Sequence, residues 1–242
     1  MLEKTRGIVL RAIPYEDNRF IVHIYTERFG RVSYMVFGSG KKGSKVPRSL
    51  FMPLSALDMD VEHSHRCDIQ RIKEAHLCFP LAETASNPVK NMLALFLSEV
   101  LFRVVRDTQP DDRLFRFLYD SVVALEHLES GIANFHLVFL LHLLYYIGIY
   151  PNVESHSAGT SCFDMQNSVF VSEQPVHAHY LDARESAVML RLLKMTYENM
   201  SLYSFSRKDR IRIIERMLEY YRLHLPDFPE IRSLAVMQTL FD

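Results

Sequence analysis

The hydrophobic residues of this chain change period once. Over roughly the first 80 residues they alternate, and from residue 87 they recur every three or four positions. Alternation marks a strand with two unlike faces, and the longer spacing marks a helix with one buried stripe. Residues 5–13 are rich in β-formers and stop at Pro14. Residues 19–26 read RFIVHIYT, with Phe20, Val22 and Ile24 on one side and Ile21, His23 and Tyr25 on the other. Both faces are apolar, which predicts a closed or covered sheet. Gly30 turns the chain into residues 31–37, where Val32, Tyr34 and Val36 alternate with Arg31, Ser33 and Met35. Two further β-rich stretches, 50–61 and 67–78, flank the polar turn EHSHRCD. Five short strands in about 80 residues point to a small barrel or sandwich.

The helical half begins with Asn87 as a cap and Pro88 at the first helical position. Leu93, Phe96, Leu97, Val100, Leu101 and Val104 then form one stripe. Gln109-Pro110 breaks it, and Asp111 can cap a second helix bearing Leu114, Phe117, Leu118, Ser121, Val122 and Leu125. A third, over 133–147, is so apolar that it is expected to be buried on most sides. Residues 152–180 are irregular and polar, and helices resume at 183–194, 206–223 and 230–240. The expected class is α+β: a β domain over 1–80 and a helical domain over 81–242 with an irregular insert at about 152–180.

Charge is balanced overall, 28 Lys and Arg against 29 Asp and Glu, which excludes a uniformly basic DNA-coating protein. It is not balanced locally. Residues 1–80 hold thirteen basic and nine acidic residues, and the remainder holds fifteen and twenty. From Arg28 to Arg48 there are six basic residues and no acidic one. Three scattered cysteines, Cys67, Cys78 and Cys162, make no CxxC pair and no disulfide framework. The longest apolar run, 137–150, is interrupted by His142 and falls short of the ~18–20 residues of a membrane span. No signal peptide is visible at the start, and a reduced cytoplasmic compartment is expected.

The stretch GSGKKGSKVPRS, residues 38–49, is the most informative local feature. Lys41, Lys42, Lys45 and Arg48, with Arg31 in support, are the candidate DNA-binding residues, because such cations neutralise phosphates and release counterions. The glycines let backbone amides approach an anion. The P-loop spacing is absent. The plainer reading is a solvated loop that keeps a barrel soluble. Phe20, Tyr25, Tyr34 and Phe37 are candidate base stackers, most of them expected in the core.

His156, Cys162, His177 and His179 share the irregular segment, but their spacing fits no tight zinc motif, and no metal is expected. His136 and His142 lie on the third helix and read as core or interface residues, and His63 and His65 fall in a turn. No catalytic set emerges: there is no Gly-x-Ser-x-Gly, no dinucleotide fingerprint and no His-Glu-x-x-His. Glu16-Asp17 follows Pro14-Tyr15 and reads as a turn. RKDRIRIIER, residues 207–216, reads as a charged helix start with Ile211, Ile214, Leu218 and Tyr221 inward, or as a face for an acidic partner.

Taken in order, these pieces resemble the bacterial DNA repair protein RecO family over nearly the whole chain. Val9-Leu10, Tyr15-Glu16-Asp17, the Thr-x-x-x-Gly of residues 26–30 and the basic Gly-rich 38–45 are similar to the family's first barrel strands. RSLFMPLSALDMDV resembles the next strand. Residues 135–151, with Leu140, Leu141, Leu144, Gly148 and Pro151, resemble the central helix, and YYRLHLPDFPEIRSL the last helices. The resemblance implies an N-terminal OB barrel, a C-terminal helical domain and no turnover chemistry. It implies a recombination mediator that binds single- and double-stranded DNA, anneals strands and helps load RecA onto DNA coated by single-strand-binding protein. The implied partners are RecR and the acidic C-terminal tail of single-strand-binding protein, docked on the helical domain. No cofactor is implied.

Two departures from the family pattern carry expectations of their own. Many members hold zinc with four cysteines after the central helix. Here His156 and residues 177–180 stand about where three of them would fall, so zinc is expected to be lost and packing to hold the segment. The central helix often begins with a basic residue and Phe-Glu, where this chain has Ala133-Asn134-Phe135-His136. The alternative from a different class is a protein-interaction adaptor with only incidental DNA contact. A metal enzyme using the four histidine and cysteine positions is a third reading.

Overall fold

The computed structural model describes residues 2–16, 19–37, 46–64, 66–106, 109–159 and 161–240. They form two compact units, Met1–Leu128 with Ile231–Asp242, and Glu129–Glu230.

In the first unit, β1 (Leu2–Glu16), β2 (Arg19–Thr26), β3 (Gly30–Phe37), β4 (Ala56–Glu62) and β5 (Ile69–Leu77) close into a barrel in the order β1-β2-β3-β5-β4. Closure joins β3 to β5 in parallel (Ser33 opposite Ile69) and β4 to β1 antiparallel. This is the five-stranded OB barrel expected. The alternation is the reason for it: Val9, Val22, Ile24, Val32, Tyr34, Val36, Leu57, Met59 and Val61 all point into one buried core. The β2–β3 hairpin is held by the buried Thr26 hydroxyl, which donates to the Gly30 carbonyl at 2.8 Å and accepts from the Phe29 amide. Gly30 takes a positive φ of 64° there. β1 serves two partners, β2 from Gly7 onward and β4 up to Ile8. At the overlap only glycine fits, since a Cβ on Gly7 would lie 2.5 Å from Ile24 Cγ2. The β-rich stretch at 50–61 begins as a strand only at Ala56, because Arg48–Leu50 form a 3-10 turn.

Three helices follow in the same unit: α1 (Ala82–Ser86), α2 (Pro88–Val104) and α3 (Asp112–His127). The Asn87 side chain accepts from the Val89 and Lys90 amides, and Asp111 from those of Arg113 and Leu114, so both helices start where the caps predict. α1, which has no cap of its own in the sequence, is capped from a distance: the Glu126 carboxylate accepts from the amides of Glu83 and Thr84. The buried Lys90 ammonium donates to the Glu126 carbonyl at 2.7 Å.

In the second unit, α4 (Phe135–Tyr146) is buried along most of its length, as its composition requires. The polar insert is a small sheet of β6 (Cys162–Asp164), β7 (Val169–Val171) and β8 (Tyr180–Leu181), ordered β7-β6-β8. Cys162, Phe163, Met165, Phe170 and Leu181 are buried there. α5 (Ala183–Leu192) and α6 (Arg207–His224) complete the unit, each opened by a capping box, from Asp182 and Ser206. The Tyr221 hydroxyl on α6 donates to the Leu140 carbonyl of α4 at 2.7 Å. The last helix, α7 (Ser233–Leu240), belongs to the first unit and packs on α2. Fold type changes after Leu77, whereas the compact units divide at Leu128, because α1, α2, α3 and α7 belong with the barrel. No described helix is long and apolar enough to cross a membrane.

Candidate nucleic-acid interface

The outward residues of β1, β2 and β3 form rows across the barrel wall, fixed by strand register. Tyr25 stands opposite Arg31, His23 opposite both Arg11 and Ser33, Ile21 opposite Ile13 and Met35, and Arg19 opposite Glu16 and Phe37. One end of this face is therefore Arg19 and Phe37, the other Arg31 and Tyr25, with an apolar middle. At ~3.4 Å per residue the two ends of β3 are about 20 Å apart.

At the Phe37 end, aromatic rings and guanidinium groups meet. Phe37 is 46% exposed and Tyr15 54%. The Arg19 guanidinium lies over the Phe37 ring at 5.5 Å and also pairs with Glu16 at 3.0 Å. The exposed Arg48 guanidinium lies 4.2 Å from the centre of the Phe20 ring. Such contacts contribute roughly 0.5–1 kcal/mol at exposed sites and leave the cation's edge open to an anion.

The sequence-predicted residues separate into three fates. Arg48 is on this end. Lys41, Lys42 and Lys45 lie outside the described residues, in the connection leaving Phe37. Arg31 is at the opposite end and turned to α2, where its guanidinium donates to the carbonyls of Phe102 and Val105, both at 3.0 Å. Burial, with Arg106 and Arg103 close by, lowers the Arg31 pKa. Of the four candidate stackers, Tyr25 and Tyr34 are buried, Phe20 packs against the core, and Phe37 is the one left exposed. Tyr25 spends its hydroxyl as acceptor from the Asp111 amide at 3.2 Å. Arg19 is not among the sequence-predicted residues, although its place opposite Phe37 follows from counting outward along the two strands.

The histidines of the insert face different partners. His177 lies 3.3 Å from Asp164, His179 lies 2.8 Å from Glu219, and His156 stands edge-on to Phe170. Cys162 is buried on β6. Among the described residues no group of three or more His, Cys, Asp or Glu is arranged to hold a metal. His136 is fully buried, with its pKa pushed down to about 3 by that burial and by Arg210. His63 stacks on Phe29 at 4.1 Å, and His65 lies outside the described residues.

The second unit carries a separate feature, a groove of about 470 Å³ floored by Leu144, Phe163, Met189, Leu192 and Met217. Its lining also includes Arg184, Arg191, Arg212 and Arg216 against Glu185 and Asp209. Arg212 and Arg216 both reach Glu185, at 2.9 and 3.1 Å. On α6, Ile214, Leu218 and Tyr221 are buried as expected, while Ile211 is only partly so.

A family model described as the N terminal of recombination protein O matches residues 1–81, and one for its C terminal matches residues 85–234. The chain belongs to the RecO family. Its similarity to individual RecO proteins runs end to end. A DNA repair protein RecO of Azobacteroides pseudotrichonymphae is 42% identical over 242 residues, covering 100% of both chains. RecO of Bacteroides fragilis is 40% identical over 243 residues, and RecO of Porphyromonas gingivalis 35% over 245, again with 100% of each chain covered. A role in DNA repair and recombination follows for this RecO-family chain, and the closed barrel is its OB fold.

Proposed function

We propose that this protein is a non-enzymatic recombination mediator whose barrel binds single- and double-stranded DNA and anneals complementary strands. The observation that carries this reading is the exposed Phe37 flanked by Arg19, with Arg48 over Phe20 at the same barrel end. That end is also where the chain departs into the basic residues Lys41, Lys42 and Lys45. Aromatic stacking holds bases without reading sequence, and cations hold the backbone, which is the usual division of labour on single-strand-binding barrels. Cations that screen two strands at once reduce their repulsion and speed pairing.

The finer steps rest on family membership and on charge. RecA loading onto DNA coated by single-strand-binding protein, with RecR as a partner, follows from the family alone. The arginine-bearing groove of the second unit suits an acidic peptide with apolar side chains, and we assign it to the C-terminal tail of single-strand-binding protein. The deciding experiment is annealing of complementary strands with and without that protein, for wild type and for Lys41→Ala/Lys42→Ala/Lys45→Ala/Arg48→Ala. Wild type is expected to anneal coated strands. The variant should show a shallower salt dependence, by about 0.7 in slope for each phosphate it no longer neutralises on single strands. A protein that keeps its protein partners in excess DNA but anneals nothing would be an adaptor instead.

A further inference from the structure

Phe102, on the last turn of α2, is surrounded by cations. The guanidinium carbons of Arg31, Arg11 and Arg103 lie 4.3, 5.0 and 5.4 Å from its ring centre, and the His23 ring lies 5.0 Å away. Arg106 joins the group through its Nε, which donates to the Arg103 carbonyl at 3.1 Å. Among the described residues no ion pair ties Arg11, Arg31 or Arg103 to a carboxylate, and the Arg103 Nε is buried without a hydrogen-bond partner. Glu99 is near enough for Arg103 to favour its charge and offsets part of the cluster, while its oxygens accept from the Arg232 and Ser233 amides and the Ser233 hydroxyl. Burial comes first in lowering the pKa of Arg31 and of His23, which stays neutral, and the neighbouring cations add to it: Arg106 and Arg103 at Arg31, Arg31 and Arg11 at His23. Like charges gathered at one place cost free energy that a bound anion recovers.

We propose that the arginines around Phe102 form a second phosphate site, which holds the far end of the same DNA strand that the Phe37 end of the barrel engages. This deepens the function proposed above and rests on it. Strand geometry supports a single track. Arg11 and Arg31 stand on the same outward face as Arg19 and Phe37, with the apolar Ile13, Ile21 and Met35 between them. From the Phe37 row it is about 14 Å to Arg11 and about 20 Å to Arg31, which corresponds to about four to six nucleotides stacked at ~3.4 Å, inside the footprint of one OB fold. Phosphates would be held at both ends and bases would lie over the apolar middle. Arg31, spending one nitrogen on α2, fixes the cluster in place, while Arg11, Arg103 and Arg106 supply the contacts.

The test compares (dT)20 with (dT)4, using Arg11→Gln and, separately, Arg103→Gln/Arg106→Gln, with inorganic phosphate as a third ligand. Both variants should bind (dT)20 about tenfold more weakly, with a salt slope smaller by about 0.7 for each phosphate no longer neutralised. Binding of (dT)4, which cannot bridge the two ends when stacked, should change less than twofold. An unchanged (dT)20 affinity and slope in both variants would overturn the inference, as would an equal loss for (dT)4. Wild type stabilised by inorganic phosphate, with DNA binding indifferent to the variants, would make the cluster a free-anion site and overturn it too. If only the loop variant weakens (dT)20, the second site falls and the mediator function survives. If wild type binds no DNA, both fall.

Discussion

The guanidinium of Arg31, at the start of β3, donates to the carbonyl oxygen of Phe102, at the end of α2, across 71 residues of sequence. A second bond to the Val105 carbonyl makes Arg31 a C-terminal cap for α2. The last carbonyls of a helix lack intrahelical donors and carry partial negative charge, so a cation there is favourable. Arg31 contributes to the fold before it contributes to any ligand. Arg31→Ala should destabilise the first unit by about 1.5–3 kcal/mol, the range for hydrogen bonds from a charged group. Arg31→Lys should recover only part of it, lacking the planar fork. Denaturant midpoints of the two variants beside Arg48→Ala check this, with Arg48→Ala expected to cost no more than the roughly 0.5–1 kcal/mol of its contact with Phe20.

Phe37 and Tyr34 lie three residues apart on one strand and should behave oppositely. Tyr34 is inside the barrel core and Phe37 is outside it. Phe37→Ala should leave the melting temperature nearly unchanged and weaken single-strand binding by about 1–3 kcal/mol, the worth of one stacked base. Tyr34→Ala should cost about 3–5 kcal/mol of stability through the cavity it opens. Thermal melts and fluorescence titration with (dT)20 separate the two effects, and a Phe37→Ala protein that binds normally would remove stacking from the mechanism.

The strand faces, the caps at Asn87 and Asp111, and the Thr26–Gly30 hairpin are legible in the sequence for a local reason. Each depends on residues within a few positions of one another. Features that depend on distant partners are not legible there. α1 is short and has its amides satisfied by Glu126, 42 or 43 residues away. The basic character of Arg31 is plain in the sequence, but its engagement with α2 is not. The arginines around Phe102 come from β1, β3 and α2, and only the closed barrel with its docked helix brings them round one ring. By composition Tyr25 is as suitable a stacker as Phe37, and the bond from the Asp111 amide to its hydroxyl is what separates them.

Two histidines should make the protein less stable in acid. Burial and the nearby Arg31 and Arg11 push His23 down to about 4, and burial with Arg210 pushes His136 down to about 3. In the unfolded chain both titrate near 6.5. Between those values the unfolded state binds more protons, so stability rises with pH. The contribution is complete above about pH 6.5 and is lost as pH falls toward 4 and then 3. In an NMR titration, the ring signals of His23 and His136 should hold their neutral positions down to about pH 5. His23→Gln should flatten the stability slope of the first unit over that window. Ring signals moving near pH 6.5 would contradict the burial assigned to both.

Glu99 holds the end of the chain to α2. Its carboxylate accepts from the Arg232 amide at 3.1 Å, the Ser233 amide at 2.8 Å and the Ser233 hydroxyl, so it caps α7 from another helix. Burial works against its charge, but the bonds from Ser233 and Arg232, with Arg103 nearby, prevail and hold its pKa below the ordinary value. The stabilisation is therefore present at neutral pH and lost as pH falls through the lowered carboxylate pKa. Glu99→Gln keeps the shape but loses the charge and one acceptor, and should cost about 1 kcal/mol, within the range for a lost cap. Amide hydrogen exchange of Arg232 and Ser233 should speed up in that variant, with α2 and the barrel unaffected. Exchange that stayed at the wild-type rate would mean that the packing of α7 on α2, rather than the Glu99 cap, keeps the last helix in place.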